Sequence, residues 1–110
     1  MNLSVIIPIH EYNDELSLLV TNAVESVIKQ EDIEVLPQII LVFPTAIEEN
    51  IKGFMDSMIR KYQSSGVTHQ SFVLIKNEGN TDYQSQVNLA VENISTDYFS
   101  VMQVFQKSVK

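Results

Sequence analysis

The side chains best suited to chemistry gather at two places in the chain. His10 and Glu11 follow a short apolar run that ends at Pro8. Asn77-Glu78-Gly79-Asn80 follows another such run, with Asp82 two residues on. An imidazole beside a carboxylate pairs a proton acceptor with a hydrogen-bonding anion. At the carboxyl end of a strand in an α/β sheet, that pair sits where such sheets take ligands. The plainer reading is a polar loop. His10, Glu11 and Asp82 are also metal-ligand residue types, but their spacing specifies no site. Asn77 to Asn80 reads as a turn rich in residues that tolerate positive φ, with Gly79 there for backbone reasons. His69, near Gly66, reads as solvated.

Composition removes several other chemistries. With no cysteine there are no disulfides, thiolate metal sites or cysteine nucleophiles. Three glycines cannot write a dinucleotide fingerprint or a P-loop. No serine lies on a strained strand-to-helix elbow. Seven basic residues against 14 acidic ones leave a net charge of −7, with Arg60 the one arginine. Without a basic stripe, neither a nucleic-acid backbone nor an anionic membrane surface is an expected partner. No run approaches the roughly 18 apolar residues of a membrane span. The first residues lack the basic-then-apolar pattern of a signal peptide. Together with the absent cysteines, this makes a cytoplasmic protein the expectation.

The elements that must position these residues follow from a hydrophobic period that switches between 2 and 3.6. Leu3 to Pro8 reads as a buried strand, ended by a proline that cannot donate to a ladder. Asn13 or Asp14 can cap a helix to about Lys29, whose apolar stripe runs Leu16, Leu19, Val20, Ala23, Val24, Val27 and Ile28. Gln38 to Phe43 is a second strand. Thr45 and Glu48 have the spacing of a capping box for a second helix, ended at Ser64-Ser65-Gly66. Ser71 to Lys76 is a third strand. A third helix from about Asp82 to Asn93 turns Tyr83, Val87, Ala90, Val91 and Ile94 inward, and Tyr98 to Phe105 is a fourth strand. Strict alternation with continuously apolar strands predicts a Rossmann-like, three-layer α/β sandwich with a mostly parallel sheet and three helices. Residues 1–110 form a single domain on this reading.

These segments carry a resemblance. Ser4 to Ile9, followed by His10-Glu11-Tyr12-Asn13-Asp14-Glu15, resembles the opening of family 2 glycosyltransferases of the GT-A fold. Ile39 to Val42 resembles that family's second strand. Asn77-Glu78-Gly79-Asn80, with Asn88 further on, resembles its Asn-x-Gly turn and the helix with an Arg-Asn pair. Thr96-Asp97-Tyr98-Phe99 resembles its Gly-Glu-Tyr approach to the fourth strand. The resemblance implies strand order 3-2-1-4 and a nucleoside diphosphate sugar as ligand. It implies a donor pocket lined by Pro8, His10, Glu11, Asn77, Gly79 and Asn80, with His10 and Glu11 on the base or ribose.

The sequence departs from that pattern where charge matters. Phe43-Pro44-Thr45 stands where the family has acidic residues for base and ribose. Gln103-Val104-Phe105 stands in place of its Asp-x-Asp metal motif, and Val87 in place of the arginine. An amide oxygen is a poor ligand for manganese or magnesium, and phenylalanine is none. Two unit charges ~4 Å apart interact by about 4 kcal/mol at an effective dielectric near 20. A diphosphate without a metal therefore needs other cations. The family's acceptor site and catalytic base lie in a second half, after the metal motif. The expectation is a nucleotide-sugar-binding half, inactive alone. The alternative is a non-catalytic interaction module reusing the fold within a larger assembly.

Order 3-2-1-4 also puts two helices on one face of the sheet and one on the other. Strand residues such as Val5, Ile7, Leu41 and Val73, and an apolar fourth strand, would then be short of cover. A second copy of the chain or a partner protein is expected to supply it.

Overall fold

The computed structural model describes residues 3–9, 11, 13–29, 37–77, 83–93 and 98–101. The elements run β1 (Leu3–Pro8), α1 (Asp14–Ile28), β2 (Gln38–Pro44), α2 (Glu48–Lys61), β3 (Phe72–Asn77), α3 (Tyr83–Glu92) and β4 (Tyr98–Val101). The four strands form one parallel sheet in the order β3-β2-β1-β4. Leu3 lies opposite Tyr98 and Ile6 opposite Val101, while Ser4 to Pro8 run beside Gln38 to Val42. The Rossmann-like α/β architecture and its strand order are therefore those expected. Among the described residues no helix is long and apolar enough to cross a membrane.

Local chemistry explains most boundaries. Asn13, in extended conformation, accepts the Leu16 amide on its side chain at 2.9 Å and starts α1. Leu16, Val20, Val24 and Val27 fall on one buried stripe. The start of α2 differs from the capping box in the sequence. Thr45–Ile47 form a short 3-10 turn, and neither Pro44 before it nor Ile47 at the α2 boundary makes a side-chain cap. The Glu48 carboxylate is engaged elsewhere, by two lysines. After α2 a 3-10 turn over Gln63–Ser65 ends at Gly66, whose φ of 91° is a left-handed conformation that favours glycine.

Alternation along the strands divides the core in two. Val5, Ile7, Ile39, Leu41, Phe43 and Phe72 pack under α1 and α2. Ile6, Ile40 and Val42 face α3, where Ala90 is buried and Leu89, Val73, Ile75 and Val101 are partly so. Of the strand residues expected to lack cover, Val5, Ile7 and Leu41 thus lie beneath two helices, and only Val73 is on the single-helix face.

Helix α3 turns Ala90 inward and Val87 partly so, as expected, but not Val91. Gln86 and Ala90 are buried and Leu89 partly so, whereas Val91 is 39% exposed. The unexpected buried residue is polar: Gln86 is 2% exposed beside this stripe.

The far ends of α1 and α2 are tied by side chains. Lys61 Nζ and the Tyr62 hydroxyl both donate to Glu25 Oε2, at 2.7 and 2.5 Å. The Lys61 hydrogen bond, with that of Tyr62, holds the Glu25 carboxyl below its usual range and pushes the Lys61 ammonium up.

Candidate functional site

Parallel strands bring their carboxyl ends, and the loops that follow them, to one edge. That edge carries Pro8 from β1 with Ile9 just after it, Pro44 from β2 and Asn77 from β3. Pro8 lies opposite Val42 and Pro44 opposite Asn77. The ladder outlasts Pro8 by one residue, because the Ile9 amide donates to the Val42 carbonyl at 2.8 Å. Glu11 is exposed just beyond. Asn13 Nδ2 donates to its Oε1 at 3.2 Å while Asn13 Oδ1 caps α1. One asparagine therefore both starts the helix and steers the carboxylate.

Pro8, Glu11 and Asn77 are thus gathered at one edge, with Pro8 and Asn77 buried and Glu11 in the open. His10, Gly79 and Asn80, like Asp82, lie outside the described residues. So do Gln103 to Phe105. His69 precedes β3, at the opposite end of the sheet, exposed and 3.6 Å from the Asp56 carboxylate.

The fold also collects positive charge here. Lys52 and Lys76 approach the same Glu48 oxygen, at 3.2 and 3.5 Å. Lys76 is next to Asn77 at the end of β3, and Lys52 lies in the first turns of α2. The Lys52 hydrogen bond holds Glu48 below the usual carboxylate range, Lys76 adds to it, and partial desolvation opposes it. Two lysines share one carboxylate, so the cluster carries net positive charge in an acidic chain. Neither lysine is a candidate by sequence, being 24 residues apart with no motif joining them.

Gln86 is a third residue that sequence reasoning missed. It is 2% exposed, and its Nε2 donates to the Ile9 carbonyl at 2.8 Å. A longer bond, 3.4 Å, reaches the Val42 carbonyl. Nothing local distinguishes it from Gln84, its neighbour in a polar run, since its partners are 77 and 44 residues away.

Among the described residues no three His, Asp or Glu side chains converge. Comparison with known protein families, with curated proteins and with solved structures finds no match to this chain.

Proposed function

We propose that the chain is a nucleotide-binding module of the kind found in the first half of family 2 glycosyltransferases. It takes a nucleoside diphosphate, or its sugar, at the carboxyl edge of the sheet. The observation that carries this reading is β4 lying parallel beside β1 in the order 3-2-1-4. In that order the chain reverses its winding direction between β1 and β4. Open α/β sheets bind ligands in the crevice at such a reversal.

The side chains at that edge support the same reading. Glu11, held by Asn13, is placed to accept hydrogen bonds from a ribose or base. Lys52 and Lys76 supply charge of the sign a diphosphate needs. His10, Gly79 and Asn80 complete the proposed pocket on the strength of the resemblance.

Calorimetric titration with uridine diphosphate, with and without manganese, tests this. Binding at millimolar affinity or tighter, independent of manganese, is expected. No heat in either buffer up to ~10 mM, which corresponds to less than about 3 kcal/mol of binding, overturns it.

A second reading, an interaction module, is favoured by one feature. Phe99, on the single-helix face, is 48% exposed. Sedimentation of the purified chain tests self-association, and co-purification tests a different partner. A chain always found alone and monomeric removes this reading.

A further inference from the structure

We propose that Gln86 is a positioning residue. Its buried amide ties α3 to the end of β1 and thereby fixes the loop that carries Glu11 at the carboxyl edge. The ligand arm of this inference rests on the nucleotide-site reading above. The structural arm does not.

A primary amide removed from water without partners is unfavourable by about 2 kcal/mol or more. Gln86 is 2% exposed on a face otherwise packed by Ile6, Ile40, Val42 and Ala90. An apolar side chain would fill such a place more simply. What the amide adds is a donor, and its 2.8 Å bond goes to the Ile9 carbonyl.

Ile9 is where regular pairing of β1 runs out. Its amide is still in the ladder, donating to Val42 at 2.8 Å. Its carbonyl lies past the last strand residue, Pro8, and is bound by Gln86 instead. Both polar groups of the Ile9 peptide unit are therefore held, one by β2 and one by α3. Glu11 is two residues further on.

The same bond couples the two halves of the proposed pocket. Helix α3 follows β3 in the chain, so a shift of α3 would be felt at the loop after β1. Gln86 is the side chain through which that shift is transmitted. Its role is orientation, not contact with a ligand.

The test compares Gln86→Met, close in size but without a donor, with Val73→Ala, a truncation on the same face that leaves Gln86 in place. Native-state amide hydrogen exchange of Ile9 and Glu11 is the first readout. Exchange about tenfold faster in Q86M than in V73A is expected, the effect of losing one buried hydrogen bond. The central amides of α1 and β3 should change no more in Q86M than in V73A. Equal rates at Ile9 and Glu11 in the two variants overturn the proposal.

If Q86M does not fold, the native protein decides. The Gln86 side-chain amide protons should then exchange more slowly than those of exposed Gln70. Equal exchange overturns the proposal. In the ligand arm, uridine diphosphate affinity should fall about tenfold in Q86M and stay near native in V73A. Equal affinities for native protein and Q86M overturn the positioning role. If the native protein takes no nucleotide, the functional reading fails, and the exchange data still decide what Gln86 does.

Discussion

Under α1 and α2, one face of the sheet is well covered: Val5, Ile7, Leu41 and Phe43 are all buried, Leu74 on β3 is partly so, and fifteen described residues make up that core. Under α3, the other face is sealed only at its centre. Ile6, Ile40 and Val42 are as deeply buried as their neighbours, but four described residues make up the core. Val73 and Ile75 on β3, and Val101 on β4, are only partly covered, and Phe99 is 48% exposed. The residues are equally apolar on both sides. What differs is the number of helices, because the connections from β1 to β2 and from β2 to β3 pass over the same face. A single crossover remains for the other. The thinly covered face is also the one that supplies Gln86 to the end of β1, so the sparser core is tied to the candidate site.

Substitutions matched across the sheet test this contrast most strongly. Leu41→Ala should lower unfolding free energy by ~2–5 kcal/mol in urea titration, the usual cost of emptying a packed site. Val73→Ala, on β3 opposite Ile40 and facing α3, should cost about 1 kcal/mol. Equal losses at the two positions would mean that α3 covers its face as well as α1 and α2 cover theirs. Next in size is the helix start. Asn13→Ala should cost about 1 kcal/mol through loss of the α1 cap. Thr45→Ala, where the structure shows no side-chain cap, should stay within about 0.5 kcal/mol. A large loss at Thr45 would restore the capping box that the sequence suggests.

Phe99→Ser should scarcely alter stability but should reduce binding of a dye that reports exposed apolar surface. Unchanged dye binding would show that the single-helix face is not open at this position. The smallest effect concerns pH. Glu25 titrates below the ordinary carboxylate range of about 4.3 when folded, so it stabilises the protein above that range. The contribution is lost as pH falls through the lower folded value. Glu25→Gln should therefore flatten the acid limb of a urea-midpoint profile between about pH 5 and 3. An identical acid limb in the variant would show that the tie between α1 and α2 adds nothing to stability.

Much of the fold is legible locally. Asn13 followed by a clean apolar stripe from Leu16 to Val27 fixes α1 almost to the residue, because cap and periodicity are neighbours in the chain. Continuous apolar runs mark β1, β2 and β3 as buried strands, and their alternation with helices requires a largely parallel sheet. Parallel strands in turn place Pro8, Glu11 and Asn77 at one edge. Misreadings occur where a distant partner outweighs a local pattern. Glu48 has the spacing of a capping box but is held by Lys52 and by Lys76 from β3. The apolar periodicity of α3 points Val91 inward, yet Val91 is exposed and Gln86 is buried, its amide accepted by the Ile9 and Val42 carbonyls.

From sequence alone come the element order, the apolar character of each strand and the kind of edge where a ligand would sit. These depend on residues within a turn or two of one another. The tertiary structure decides which side of each strand lies beneath two helices, which lysines meet at the carboxyl edge, and that a glutamine closes the end of β1. Each of those outcomes joins residues tens of positions apart. Local periodicity shows that a side chain must be buried, whereas only the path of the crossovers shows against what.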